Sequence, residues 1–186
     1  MKKIVFALAF VAMFSSVYGC GRGKGNSAEA PKSLVAYFSA AGPTAAVAQQ
    51  LSEVTGASLY QIKPEVPYTA EDLDWRDKES RSSLEMADPS SRPSFVKDLE
   101  DASSFDVIYI GFPVWWYTAR RIINSFIEEY GFEGKTVVLF ATSGGSDLSK
   151  ANEDFREAYP EIVWKPGRTL NGETSESISS WVESLK

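Results

Sequence analysis

Residues 34–55, LVAYFSAAGPTAAVAQQLSEVT, constrain the fold more than any other stretch of the chain. Leu34-Val35-Ala36-Tyr37-Phe38 is apolar without a helical period, as suits a strand buried on both faces. Ser39, Ala40, Ala41, Gly42, Pro43 and Thr44 interrupt it with small residues. Beyond Thr44 the residues Val47, Leu51 and Val54 recur at helical spacing and mark one apolar stripe. Strand, small-residue turn and helix N-terminus together make an anion site, because free N–H groups and the positive end of the helix dipole converge there. Ser39 and Thr44 add hydroxyls. No Lys or Arg lies between them, so amides and hydroxyls would hold the anion, and the Walker ending Gly-Lys-Ser/Thr is absent. The alternative is that Ser39 and Thr44 only cap the helix.

The rest of the chain repeats the alternation. Ala57–Ile62 reads as a second strand, and Thr69-Ala70-Glu71-Asp72 is placed to cap a charged, solvated helix running to about Met86. Asp88–Pro93 is loop, and Phe105–Gly111 is the next buried strand. Ile122, Ile123, Phe126, Ile127 and Tyr130 stripe the helix after it. Thr136–Thr142 is a fourth strand, and a helix from about Asp147 to Tyr159 stops at Pro160. Ile162-Val163-Trp164 begins a fifth strand, Gly167–Gly172 is loop, and Ile178, Trp181, Val182 and Leu185 mark a last helix. Five strand–helix alternations predict a doubly wound parallel sheet with helices on both faces and right-handed crossovers. Ligands of such sheets sit at the carboxyl ends of the strands, where strand order reverses.

The N-terminus reads differently. Met1-Lys2-Lys3, an apolar run from Ile4 to Phe14, and Val17-Tyr18-Gly19-Cys20 describe a secretory signal with a lipobox, so residues 1–19 are a cleaved signal peptide and Cys20 the lipidation site. Ordinary cleavage nearby with a free Cys20 is the alternative. Residues 20–31 have the composition of a flexible tether, leaving one domain over 32–186. Losing Lys2 and Lys3 takes the basic count from 19 to 17 against 25 acids, a net charge of −8. That charge argues against nucleic acid, leaves the lipid anchor as the one tie to a membrane, and suits docking onto a basic protein surface. The chain has no His and one Cys, which excludes Ser-His-Asp and Cys-His nucleophiles, HExxH zinc sites, disulfides and CxxC redox chemistry. Redox work would fall to a bound cofactor, with no catalytic side chain and no metal.

Three loops follow the first, third and fourth strands. Ser39–Thr44 suits a phosphate. Phe112–Thr118 presents the consecutive aromatics Trp115, Trp116 and Tyr117 after Pro113 and Val114. Thr142-Ser143-Gly144-Gly145 is small enough for a flat ring to approach its backbone. A phosphate at one end and an aromatic plane between two loops describe a mononucleotide, and FMN fits best in size. The alternatives are a Trp115–Trp116 pair serving the core or an oligomer interface, and a Gly144-Gly145 that only turns the chain. Arg120 and Arg121 begin a helix, where the dipole disfavours cations. They are read as solvated surface rather than as a contact to a phosphate or nicotinamide substrate.

YFSAAGPT (37–44), SRPSF (91–95), DVIYIGFPVWW (106–116), GKTVVLFATSGGS (134–146) and GRTLNG (167–172) resemble the flavodoxin-like family, in particular bacterial flavodoxins with a Pro-x-Trp-Trp loop. The resemblance covers the whole domain and implies strand order 2-1-3-4-5 and one non-covalent FMN. It matches Ser39, Gly42 and Thr44 to the family's phosphate loop, with Ala41 replacing a Thr and Pro43 an Asn. It also implies flavin contacts from Pro113, Val114, Trp115, Trp116 and Tyr117, with Trp116 stacked on the ring, and backbone contacts from Thr142, Ser143, Gly144 and Gly145. Asn171 matches a family position with no role derivable from sequence. The expected function is electron transfer by a membrane-anchored lipoprotein of the bacterial cell envelope, facing the periplasm or the exterior, between redox partner proteins. An NAD(P)H-dependent quinone or small-molecule reductase and a binding module that has lost FMN are the alternatives.

Overall fold

The computed structural model describes residues 31–115, 119 and 121–186. Expectations for the leader, the tether, Cys20, Trp116, Tyr117 and Arg120 lie outside the described residues. Five strands form one sheet: β1 Ser33–Tyr37, β2 Ser58–Gln61, β3 Val107–Pro113, β4 Thr136–Thr142 and β5 Val163–Thr169. All pair in parallel in the order β2-β1-β3-β4-β5, which is the expected flavodoxin-like α/β topology. The central strands are apolar on both sides: Leu34, Val35 and Ala36 of β1, and Ile108 and Ile110 of β3, are fully buried.

Helices α1 Pro43–Thr55 and α5 Ser175–Ser184 cover one face. Val47, Ala48 and Leu51 meet Ile178 and Trp181 in a core that takes in Val35 and Phe140. Helices α3 Arg121–Tyr130 and α4 Ser149–Ala158 cover the other, where Ile122, Ile123, Phe126 and Phe155 pack on Leu34, Ile108 and Leu139. The chain leaves β1 toward one face and β3 toward the other, so a crevice opens between their carboxyl ends.

Two expectations are corrected. The helix expected from Thr69 to Met86 is only α2, Arg81–Ala87, with turns before it. The cap at Thr69 does form, since Thr69 N donates to Asp72 Oδ2 at 2.9 Å and Asp72 N to Thr69 Oγ1 at 3.2 Å. Asp74 and Asp77 then capture the N–H groups of Arg76 and Glu79 at 3.0 and 2.9 Å, and these local bonds compete with the helix. With Trp75 62% exposed, no apolar stripe is buried to favour the helix against them. α2 starts instead where the Ser80 side chain accepts from Ser83 N. The loop expected from Gly167 is the second correction, because β5 continues to Thr169. Pro166 is tolerated in this edge strand, and its pairing register with β4 shifts between Val138 and Phe140. A Cβ at Gly167 would stand 2.6 Å from Leu139 O, so the strands approach too closely there for another residue.

Candidate functional site

The carboxyl ends of β1, β3 and β4 surround a cleft of about 630 Å³. Pro43, Pro113, Val114, Trp115, Thr142, Ser143 and Gly144 line it. Ser39, Ala40, Ala41 and Gly42 form the turn leading into Pro43, with Ala40, Ala41 and Gly42 exposed. Gly42, at φ 98°, is the α1 N-cap, and its N–H donates to Ser39 Oγ at 3.1 Å. Among the described residues no side chain caps α1, so Ser39 and Thr44 are not capping residues here. Pro43 occupies the first helical position, where its missing N–H costs no intrahelical bond. The first turn thus presents uncapped N–H groups beside a Ser39 hydroxyl whose proton stays available to an acceptor.

Thr44 points elsewhere. It is 1% exposed, and its Oγ1 lies 2.7 Å from Thr142 Oγ1 in a buried bond that ties the start of α1 to the end of β4. Thr142 O also accepts from Val114 N at 2.8 Å, which fixes the segment carrying Trp115.

The third loop is held by its own polar groups. Ser143 Oγ accepts from Gly145 N at 3.1 Å and from Ser146 N at 2.8 Å. Gly145 has φ 153°, a value that side-chain-bearing residues rarely adopt. Asn171 clamps the loop from the β5–α5 connection: Ser143 N donates to its Oδ1 at 2.9 Å, and its Nδ2 donates to Ser143 O. That supplies the role sequence reasoning lacked for Asn171.

Sequence reasoning missed Ala46, Val47, Gln50, Gly172 and Glu173, which complete the lining. Helical spacing from Pro43 puts Ala46, Val47 and Gln50 on one side of α1, a signal available beforehand; the approach of Glu173 was not. Gln50 Nε2 donates to Glu173 O at 3.3 Å and to Ser175 Oγ at 3.1 Å, joining α1 to α5. The Ser177 hydroxyl and Arg168 hold the Glu173 carboxyl below its usual range, so the rim carries an anion at neutral pH. Among the described residues, no lysine or arginine lines the cleft. The arrangement can seat an anion on backbone amides and a flat ring between the Trp115 and Ser143–Gly145 segments.

The profile of the flavodoxin family matches residues 32–185. The chain belongs to the flavodoxin family. Among solved structures, this flavodoxin is similar to candidate flavoproteins from two Bacteroides species. The one from Bacteroides eggerthii DSM 20697 is 48% identical with a TM-score of 0.82, over 83% of this chain and 98% of that one. The one from Bacteroides uniformis ATCC 8492 is 50% identical with a TM-score of 0.80, over 83% of this chain and 99% of that one. A Lactobacillus acidophilus NCFM flavoprotein solved in complex with FMN shares the fold at 22% identity and a TM-score of 0.64, over 84% of this chain and 99% of that one. No curated protein matches the flavodoxin described here.

Proposed function

We propose that the cleft holds one non-covalent FMN and that the protein carries electrons between partner proteins at the bacterial cell envelope. The observation that carries this reading is the uncapped α1 N-terminus opening beside a cleft lined by Trp115 and the Ser143–Gly144 backbone. The FMN bound by the Lactobacillus acidophilus relative is consistent with it. The donor set fits a flavin nucleotide. Amides of residues 40, 41, 44 and 45 and the Ser39 hydroxyl would take the phosphate, as the helix dipole favours. Trp115, with Trp116 and Tyr117 after it, and the Ser143–Gly145 backbone would flank the ring.

Bound FMN supplies the one- and two-electron chemistry. The chain's own residues bind, orient and exclude water. Asn171 keeps Ser143 and its loop in place, and the Thr44–Thr142 bond holds phosphate loop and ring loop in register. No side chain is asked to move a proton. The leader motif supports lipidation at Cys20, and the acidic surface supports basic partners.

Titrating the purified protein with FMN, followed by flavin and tryptophan fluorescence, tests the reading. Mutual quenching that saturates at one flavin per chain is expected. No quenching at high-micromolar FMN overturns it and points to Ala41 and Pro43 as the first residues to revert.

A further inference from the structure

The α3–α4 face carries a second cleft, about 1210 Å³, between those helices and the strap that runs from β2 to β3. Its charge opposes that of the whole chain. Arg76, Lys78, Arg92, Arg121 and Lys150 line it, in a protein of net charge −6. The acids in the lining are Glu128 and Asp154, and both are already matched. Glu128 takes two bonds from Arg92, at 2.7 and 2.8 Å, and one from the Tyr159 hydroxyl at 2.8 Å. Lys150 donates to Asp154 at 2.8 Å. Asp88, near enough to act on Arg121 and Arg92, turns its carboxylate to Ser90. Within the lining, the acids Glu128 and Asp154 are paired with Arg92 and Lys150 rather than with Arg76 or Lys78, while Arg121 shares the field of Asp88 with Arg92.

Arg121 is not the solvated side chain expected from sequence. Its Nη2 donates to Met86 O at 3.2 Å, and its Nε is buried with no acceptor among the described residues. The guanidinium is thus held in the wall of the cleft, where its remaining Nη hydrogens can pair with a carboxylate or phosphate. Beside it lies an apolar surface from Met86, Phe155 and Trp75. Trp75 is 62% exposed, with the Arg76 guanidinium 5.6 Å from its ring centroid. A flat ring could lie against that indole while a charged head reaches Arg121.

We propose that this cleft is a second small-molecule site, one that binds an organic anion with a flat aromatic body. Arg121 grips its carboxylate or phosphate, Arg76 and Lys78 attract it, and Trp75 and Met86 cover the ring. The site lies apart from the flavin cleft and does not depend on that cofactor.

Calorimetric titration of the full protein tests this with 2-naphthoate, 2-naphthyl phosphate, the neutral 2-naphthalenemethanol and inorganic phosphate as probes. At least one aromatic anion is expected to bind at one per chain with a Kd below about 1 mM, and about tenfold tighter than the alcohol or inorganic phosphate. The better of the two anions identifies the head group. Arg121→Met is expected to weaken binding about tenfold, the scale of one charge-assisted hydrogen bond. Arg76→Glu with Lys78→Glu, which alters the strap without touching the core, is expected to weaken it as well. The proposal is overturned if neither anion binds, if the alcohol binds equally well, or if both variants bind like the parent. Loss of probe binding in Trp115→Ala while Arg121→Met binds like the parent would place the probe in the first cleft and also overturn the proposal. Flavin titration of the same variants keeps failure of either cleft distinct from failure of the other.

Discussion

The first cleft is made largely of backbone and small side chains at the ends of β1, β3 and β4, and no lysine or arginine among the described residues lines it. The second is made of long charged side chains on α3, α4 and a strap with little regular structure. One follows from topology, since any sheet wound this way opens a crevice where strand order reverses. The other follows from a crossover that spends its length on Asx turns where a full helix could have covered α3 and α4. A backbone-built site is held by the same bonds that hold the sheet, whereas a strap-built site depends on how the strap is pinned.

Phe126 is the sharpest way to break that comparison. It is fully buried and meets Tyr60, Phe95, Tyr130 and Phe132 at ring distances of 5.8, 6.0, 5.2 and 5.6 Å, so it joins the strap residue Phe95 to α3. Phe126→Ala should cost about 3–5 kcal/mol in denaturant unfolding and release the strap. A loss under about 1 kcal/mol would mean that ion pairs, not the aromatic cluster, pin it.

The buried Thr44–Thr142 bond is the counterpart at the first cleft. Thr44→Val leaves the Thr142 hydroxyl unpaired and should cost about 1–3 kcal/mol. The double variant Thr44→Val, Thr142→Val should recover most of that, because both polar groups are gone. Additive losses in a thermal-denaturation cycle would show that the two hydroxyls are not coupled.

Asn171→Ala removes the clamp on Ser143 and should cost about 1 kcal/mol or less in global stability. Its clearer signature is local: amide exchange at Ser143 should quicken about fivefold. Unchanged exchange would remove Asn171 from the account of the ring loop.

The smallest effect belongs to the Arg92–Glu128 pair, whose side chains are 37% and 42% exposed. Hydrogen bonds from Arg92 hold the Glu128 carboxyl below its ordinary value of 4.5. Its contribution is therefore present in full above that value and is lost as pH falls through the depressed one. Glu128→Gln should lower stability by no more than about 1 kcal/mol at pH 7, with the gap closing toward pH 3. A gap that widens in acid would contradict the sign.

Much of this was legible beforehand, and the misses share a cause. β1, β4 and the stripes of α1 and α3 were readable because periodicity reports burial directly. Charged residues 70–80 carry a helix cap but nothing to bury, so cap and turn signals conflicted and the Asx turns prevailed. Pro166 and Gly167 read as loop because sequence does not tell an edge strand from a turn. Thr44 was expected at an anion but is bonded to Thr142, 98 positions away in the chain, a distance no local pattern spans. Arg121 was expected in water because its position in a helix does not reveal that the strap folds over it.

Alternation of apolar runs and helical stripes determined, without coordinates, a doubly wound parallel sheet and the end of it where a ligand must sit. That much follows from local periodicity and the handedness of crossovers, which act over a few residues at a time. Only the tertiary structure decided which side chains face those clefts: the Asn171 clamp on Ser143, the Thr44–Thr142 bond and the enclosure of Arg121. Each depends on segments far apart in the chain meeting at a distance of about 3 Å, and contacts that short are set by packing of the whole domain rather than by any one stretch of it.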